Sequence, residues 1–138
     1  FTNYGSRKAR QISENPCVSL MFGWFSMGRQ VTITGTANRI PTTESRRYFM
    51  SRSLGSQLGA WTSHQSTVIS SRAVLETMMA RVKQKFTNGE VPLPDFWGGI
   101  RVRPDTIEFW QSRPDRLHDR FVYLRGDIDE WTIEQLAP

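Results

Sequence analysis

At 138 residues, with 38% hydrophobic and 22% charged residues, the chain is sized for one globular domain with a real core, and no apolar run approaches the ~20 residues of a membrane helix. A net charge of +5 and a pI near 10 admit nucleic acid as a runner-up partner. The basic residues are dispersed in pairs and form no tract, which suits small phosphate sites at least as well.

Phe1-Thr2-Asn3-Tyr4 carries no initiator Met and none of the charged and apolar regions of a signal peptide. It reads as the end of a strand, so the chain is expected to be the later part of something longer. Ser6-Arg7-Lys8 begins a short helix, with Ser6 as N-cap and Asn15-Pro16 as the stop. Cations in a first turn oppose the helix dipole. Either a bound anion relieves that penalty or Arg7 and Lys8 are simply solvated.

Cys17 to Trp24 reads as a buried strand, and Gln30 to Ala37 as its antiparallel partner across a Ser26-Met27-Gly28 turn. The pair argues for a barrel or sandwich and against a parallel α/β sheet. Cys17, the one cysteine, cannot form an internal disulfide; this favours a reducing compartment, most simply the cytoplasm. Its place in an apolar strand argues against thiol catalysis.

Pro41 opens a helix, with Thr42 or Thr43 as cap and Glu44 in the first turn. Tyr48 and Arg52 fall four apart on one face, and Ser56 continues the line if the backbone stays near helical. A phenol, a guanidinium and a hydroxyl in a row suit a phosphate; the alternative is a half-buried Tyr48 beside a solvated Arg52. The polar loop Ser63 to Thr67 offers groups that could read a heterocycle's edge, and its His64 is more simply solvated. A helix from Ser71-Arg72 to about Phe86, ended by Asn88-Gly89, repeats Val74, Leu75, Met78, Met79, Val82 and Phe86 at helical spacing.

Pro92 and Pro94 form a rigid connector. Trp97-Gly98-Gly99 leads into a strand over 100–103, Pro104-Asp105 turns, and a strand over 106–110 follows. Phe121 to Leu124 makes another strand, Gly126-Asp127 a turn, and Trp131 to Ile133 a last short strand. If 116–120 is extended, Arg116, His118 and Arg120 point one way and Leu117 and Asp119 the other. Two guanidiniums flanking an imidazole near Trp110 suit a planar, phosphorylated ligand. A solvated edge strand with Arg–Asp pairs reads equally well. No phosphate loop, dinucleotide fingerprint, C-x-x-C or H-E-x-x-H motif is present, and two distant histidines offer no metal site.

Taken together, several stretches resemble the pyridoxamine 5′-phosphate oxidase family. They are Thr2 to Lys8, Arg29-Gln30-Val31, Tyr48-Phe49 with Ser51-Arg52, Ser56 to Ala60, and Gln65-Ser66. Glu90 to Pro94, Trp97-Gly98-Gly99, Glu108 to Gln111, Arg116 to Arg120 and Leu136-Ala137-Pro138 follow in family order. Each is weak alone; the ordered set spans essentially the whole chain. The resemblance implies a mainly β fold with flanking helices, an FMN-binding split β-barrel of which 1–138 is a single domain and the C-terminal portion. It implies a homodimer with FMN at its interface, no nucleic acid and no membrane.

The resemblance further assigns Arg7 and Lys8 to the FMN phosphate, and Thr2, Gln30, Gln65, Ser66, Trp110 and Arg120 to the rest of the flavin site. It assigns Tyr48, Arg52 and Ser56 to the substrate phosphate, and Arg116 and His118 to the substrate's pyridine ring as catalytic residues. The implied reaction oxidises pyridoxamine or pyridoxine 5′-phosphate to pyridoxal 5′-phosphate, with oxygen as acceptor and hydrogen peroxide released. A non-catalytic FMN or pyridoxal-phosphate binding module is the alternative. Two departures stand out: the family's N-terminal part, with an Arg…Lys segment contacting both phosphates, is missing, and Ser53-Leu54 replaces a Pro-plus-basic pair.

Overall fold

Among the described residues, one part of the fold holds two short strands and four helices, with an apolar cluster drawn from three of the helices, one strand and the connector before it, and the other part is a five-stranded sheet. The structure, a computed structural model, describes residues 1–87, 89–128 and 130–138. It divides into two compact units, Phe1–Glu14 with Arg39–Arg101 and Asn15–Asn38 with Val102–Pro138.

In the first unit, β1 (Thr2–Asn3) pairs antiparallel with β4 (Trp97–Gly98). Helix α1 (Arg7–Glu14) starts as its sequence predicts: the Ser6 hydroxyl accepts the Ala9 N–H at 3.2 Å, a side-chain cap on an otherwise orphaned donor. Helix α2 (Thr42–Ser51) departs from expectation at its cap. Thr42 and Thr43 lie inside it, and Pro41 takes the flanking position, its carbonyl accepting the N–H groups of Glu44 and Ser45 at 3.1 Å each. The proline ring pre-sets the entry angle, so no hydroxyl is needed.

Helix α3 (Leu54–Thr62), not anticipated as a separate element, follows a break at Arg52, whose ψ of 153° is extended. The Gln57 side chain donates to the freed Arg52 carbonyl at 2.9 Å, and the Ser53 hydroxyl donates to that of Ser56 at 3.0 Å. Helix α4 (Arg72–Lys85) runs as its periodicity predicts, with Phe86 as C-cap; the expected stop at Asn88 lies outside the described residues. Met79, Val82 and Phe86 pack against buried Phe49, Leu58, Ala60, Val91 and Trp97. Phe49 is fully buried and meets Trp97 edge to face at 5.4 Å, so the helices α2 and α3 are seated by their apolar sides on the β4 end.

The second unit is built on a sheet in the order β2-β3-β5-β6-β7. The strands are β2 (Cys17–Trp24), β3 (Arg29–Arg39), β5 (Ile100–Gln111), β6 (Asp119–Arg125) and β7 (Trp131–Gln135). The β2–β3 hairpin forms as predicted, turning through a 3₁₀ segment and Gly28 at φ 59°. The expected burial of β2 does not hold. It is an edge strand with Met21, Phe22 and Trp24 about half exposed, because apolarity states a preference for burial without supplying the layer that provides it.

The expected turn at Pro104-Asp105 is absent; β5 passes straight through. Extended backbone tolerates a proline ring at the loss of one ladder donor, and Gly35 opposite clears the space. A Cβ on Gly35 would stand 2.8 Å from the Pro104 Cα and would overlap the Arg103 carbonyl oxygen.

Candidate functional site

In the first unit a cleft of about 380 Å³ opens beside β1, lined by Thr2, Tyr48, Arg52, Ser56, Gln65 and Trp97 among others. The predicted trio Tyr48, Arg52 and Ser56 therefore converges here, though not along one helix. Tyr48 comes from α2, Arg52 from the break, and Ser56 from the first turn of α3. The Arg52 guanidinium lies over the Trp97 ring at 4.9 Å. Its Nη1 is buried and has no hydrogen-bond partner among the described residues. A shielded cationic donor left unsatisfied costs on the order of 1–3 kcal/mol or more. An oxyanion offered by a ligand removes that cost and fits the two hydroxyls beside it.

Gln65 reaches the same cleft from the loop between α3 and α4. Its Oε1 accepts the Thr2 hydroxyl at 2.7 Å and the Asn3 N–H at 3.0 Å, tying the loop to β1. Ser66, next in the loop, adopts φ 71° and is exposed. Arg7 and Lys8 are exposed on the first turn of α1, as predicted. Asn3 and Trp97 also line the cleft and were not anticipated there, nor was the hold of Gln57 on the Arg52 carbonyl. Trp97 lies 45 positions from Arg52, and no spacing rule connects them.

In the second unit a cleft of about 510 Å³ is lined by Trp24, Arg29, Gln30, Trp110, Gln111 and Arg113 among others. Gln30 and Trp110 thus share one cavity. The Gln111 amide joins the strands: its oxygen accepts from Arg29 Nε at 2.6 Å. Arg120 faces the same side of the sheet as Trp110, its Cα partner across the β5–β6 ladder. Its Nε donates to Glu108 Oε1 at 2.7 Å and its Nη1 to the Ala137 carbonyl at 3.0 Å. The Glu108 hydrogen bond, then its charge, raise the Arg120 pKa above its ordinary value, against the opposing pull of burial.

The extended reading of 116–120 is corrected. Pro114–Arg116 form a 3₁₀ turn in which Asp115 and Arg116 both take positive φ, 57° and 63°. Alternation of side chains therefore begins only at Asp119. Pro114 and Asp115 favour a tight turn, and Arg113 Nε closes the loop on Asp119 Oδ2 at 2.6 Å. Left-handed backbone at a non-glycine residue costs roughly 1 kcal/mol, and such strain concentrates at ligand clamps. Arg116 is exposed and lines neither of the two clefts above.

His118 is half-buried, 4.7 Å from the Trp110 ring, and its Nδ1 accepts the Arg113 N–H at 3.2 Å. That bond leaves the proton of the neutral imidazole on Nε2, a donor for a ligand. His118 also lines a smaller cavity with Leu117, Asp119 and residues 135–138. No group of three or more His, Cys, Asp or Glu that could hold a metal occurs among the described residues, and no described helix is long and apolar enough to cross a membrane.

The first unit thus offers a buried cationic donor beside two hydroxyls, and the second an indole-walled cleft, groups whose chemistry suits an oxyanion and a flat ring respectively. Residues 1–86 match the family described as pyridoxamine 5′-phosphate oxidase, and residues 97–138 match the pyridoxine 5′-phosphate oxidase C-terminal dimerisation region. The chain belongs to the pyridoxamine 5′-phosphate oxidase family. It is 59% identical over its whole length to the pyridoxine/pyridoxamine 5′-phosphate oxidase of Crocosphaera subtropica and 56% identical to that of Aliarcobacter butzleri, spanning 65% of each. It thus covers less than two thirds of these relatives' length.

Among solved structures, PhzG from Burkholderia lata, in complex with tetrahydrophenazine-1-carboxylic acid, superimposes with a TM-score of 0.87 at 31% identity, covering 99% of this chain and 66% of that one. A pyridoxamine 5′-phosphate oxidase-related, FMN binding protein from Nostoc punctiforme shares the fold, with a TM-score of 0.69 at 17% identity, covering 99% and 71%. The fold class is the one expected, mainly β with flanking helices, the split β-barrel of this family.

Proposed function

We propose that the full-length protein is an FMN-dependent oxidase that converts pyridoxamine or pyridoxine 5′-phosphate to pyridoxal 5′-phosphate, with oxygen as acceptor and hydrogen peroxide as co-product, the amine also taking up water and releasing ammonia. The observation that carries the reading is the buried, unpartnered Nη1 of Arg52 in a cleft shared with Tyr48 and Ser56. Those three hold the substrate phosphate. Anchoring the phosphate fixes where the rest of a small, rigid substrate lies, and orientation is what this chain contributes to the rate.

FMN, when bound, supplies the two-electron acceptor. Thr2, Arg7, Lys8, Gln30, Gln65, Ser66, Trp110 and Arg120 hold it. The exposed cations Arg7 and Lys8 beside the free N–H groups of the α1 start favour its phosphate, which offsets their unfavourable placement in a first turn. Arg116 covers the substrate ring. His118 donates from Nε2 to an oxygen of that ring, the Arg113 N–H having fixed the proton there. Residues 1–138 act as one domain, the C-terminal portion of the barrel, in a homodimer with FMN at its interface. The match of residues 97–138 to a dimerisation region and the apolar, half-exposed β2 support that assembly.

The test is made on purified full-length protein. Released FMN detected by mass spectrometry, together with equimolar peroxide and pyridoxal 5′-phosphate from pyridoxamine 5′-phosphate, supports the oxidase. Tight FMN binding without peroxide selects the non-catalytic module instead.

A further inference from the structure

Glu108 lies on the same face of the β5–β6 ribbon as Arg120. Trp110 is the direct cross-strand partner of Arg120, and Glu108, two residues along, is its diagonal neighbour. The last ladder pair of β7 sets Gln135 opposite Phe121, so residues 136–138 run on beside Arg120, Asp119 and His118. The contacts there are reciprocal. The Leu136 N–H donates to the Arg120 carbonyl at 2.9 Å, and Arg120 Nη1 donates to the Ala137 carbonyl at 3.0 Å. Glu108 Oε1 takes the Arg120 Nε at 2.7 Å, with both side chains about three-quarters shielded or a little less.

We propose that Glu108 and residues 136–138 are positioning residues: together they clamp Arg120 and aim the rest of its guanidinium at the flavin. A guanidinium carries five N–H donors in a rigid plane, so fixing two of them fixes the direction of the other three. Without Glu108, the side chain gains rotamer freedom that a ligand must then remove. Without the Ala137 carbonyl, the plane is free to turn about the remaining bond. The same segment walls the cavity beside His118, so a few residues order two side chains of the site.

This inference rests on the FMN reading, and the experiment separates the two. FMN affinity is measured by fluorescence titration of full-length apoprotein for the parent, Glu108→Gln, a chain stopped after Leu136, Arg120→Ala, and the Glu108→Gln/Arg120→Ala pair; thermal melting checks folding. Glu108→Gln and the shortened chain are each expected to bind FMN about tenfold more weakly, the loss of one charge-assisted or geometry-setting bond. Adding Glu108→Gln to Arg120→Ala is expected to change affinity less than twofold, since its effect passes through Arg120. A role confined to stability lowers the melting temperature and leaves the FMN constant alone. Unchanged affinity in both single variants, or additive losses in the pair, overturns the clamp while leaving the FMN reading intact. A parent protein that takes up no FMN overturns both.

Discussion

Arg52 concentrates the chemistry of the first cleft in one side chain. Its guanidinium is stacked on Trp97, its carbonyl is held by Gln57, and its buried Nη1 has no hydrogen-bond partner among the described residues. Arg52→Met keeps the stem and removes the donors, so KM for the phosphorylated substrate is expected to rise roughly thirtyfold, about 2 kcal/mol, with FMN content unchanged. Steady-state kinetics and flavin absorbance of the full-length variant check both. Arg116→Ala is expected to slow turnover more than it lowers flavin retention, whereas Arg7→Ala lowers FMN affinity first. Equal losses of flavin in the two variants contradict the roles assigned.

At this scale much was legible. The Tyr48, Arg52, Ser56 spacing pointed to three residues that do line one cleft, though not along one helix: an extended Arg52 and a second helix bring them together. The Arg116 to Arg120 run was misjudged because a period-two argument presupposes extended backbone, and Arg113-Pro114-Asp115 just before it bends the chain into two left-handed residues.

Among the elements, those written in local chemistry were readable: the Ser6 cap, the α4 periodicity and the β2–β3 hairpin all depend on residues close in sequence. Those decided by distant partners were not. Pro104 looked like a turn residue, yet the missing side chain at Gly35 lets β5 continue past it. Gly35→Ala is therefore expected to force β3 and the Arg103–Pro104 backbone apart and to cost about 1–3 kcal/mol of stability, read as a lower melting temperature. A variant that melts with the parent removes the close approach as the reason for the unbroken strand. The separation of α2 from α3 was equally hidden, because the Ser53 hydroxyl reaches that of Ser56 and the Gln57 amide reaches the Arg52 carbonyl only once the two helices have formed.

For the whole molecule, composition and charge gave the class but not the assembly. Leu20, Met21, Phe22 and Trp24 stand exposed on an edge strand, an unstable arrangement for a chain in water by itself. The full-length protein is accordingly expected to sediment as a dimer at micromolar concentration; a monomer there contradicts the assembly proposed. The central claim is that a phosphate, gripped by Arg52, Tyr48 and Ser56, sets the substrate in place for oxidation. It is tested most directly by adding pyridoxamine 5′-phosphate anaerobically to the FMN-loaded full-length protein and following the visible flavin band. The band is predicted to bleach with the phosphorylated amine and to persist with an equal concentration of pyridoxamine. A band that stays with both, or bleaches equally with both, contradicts the account.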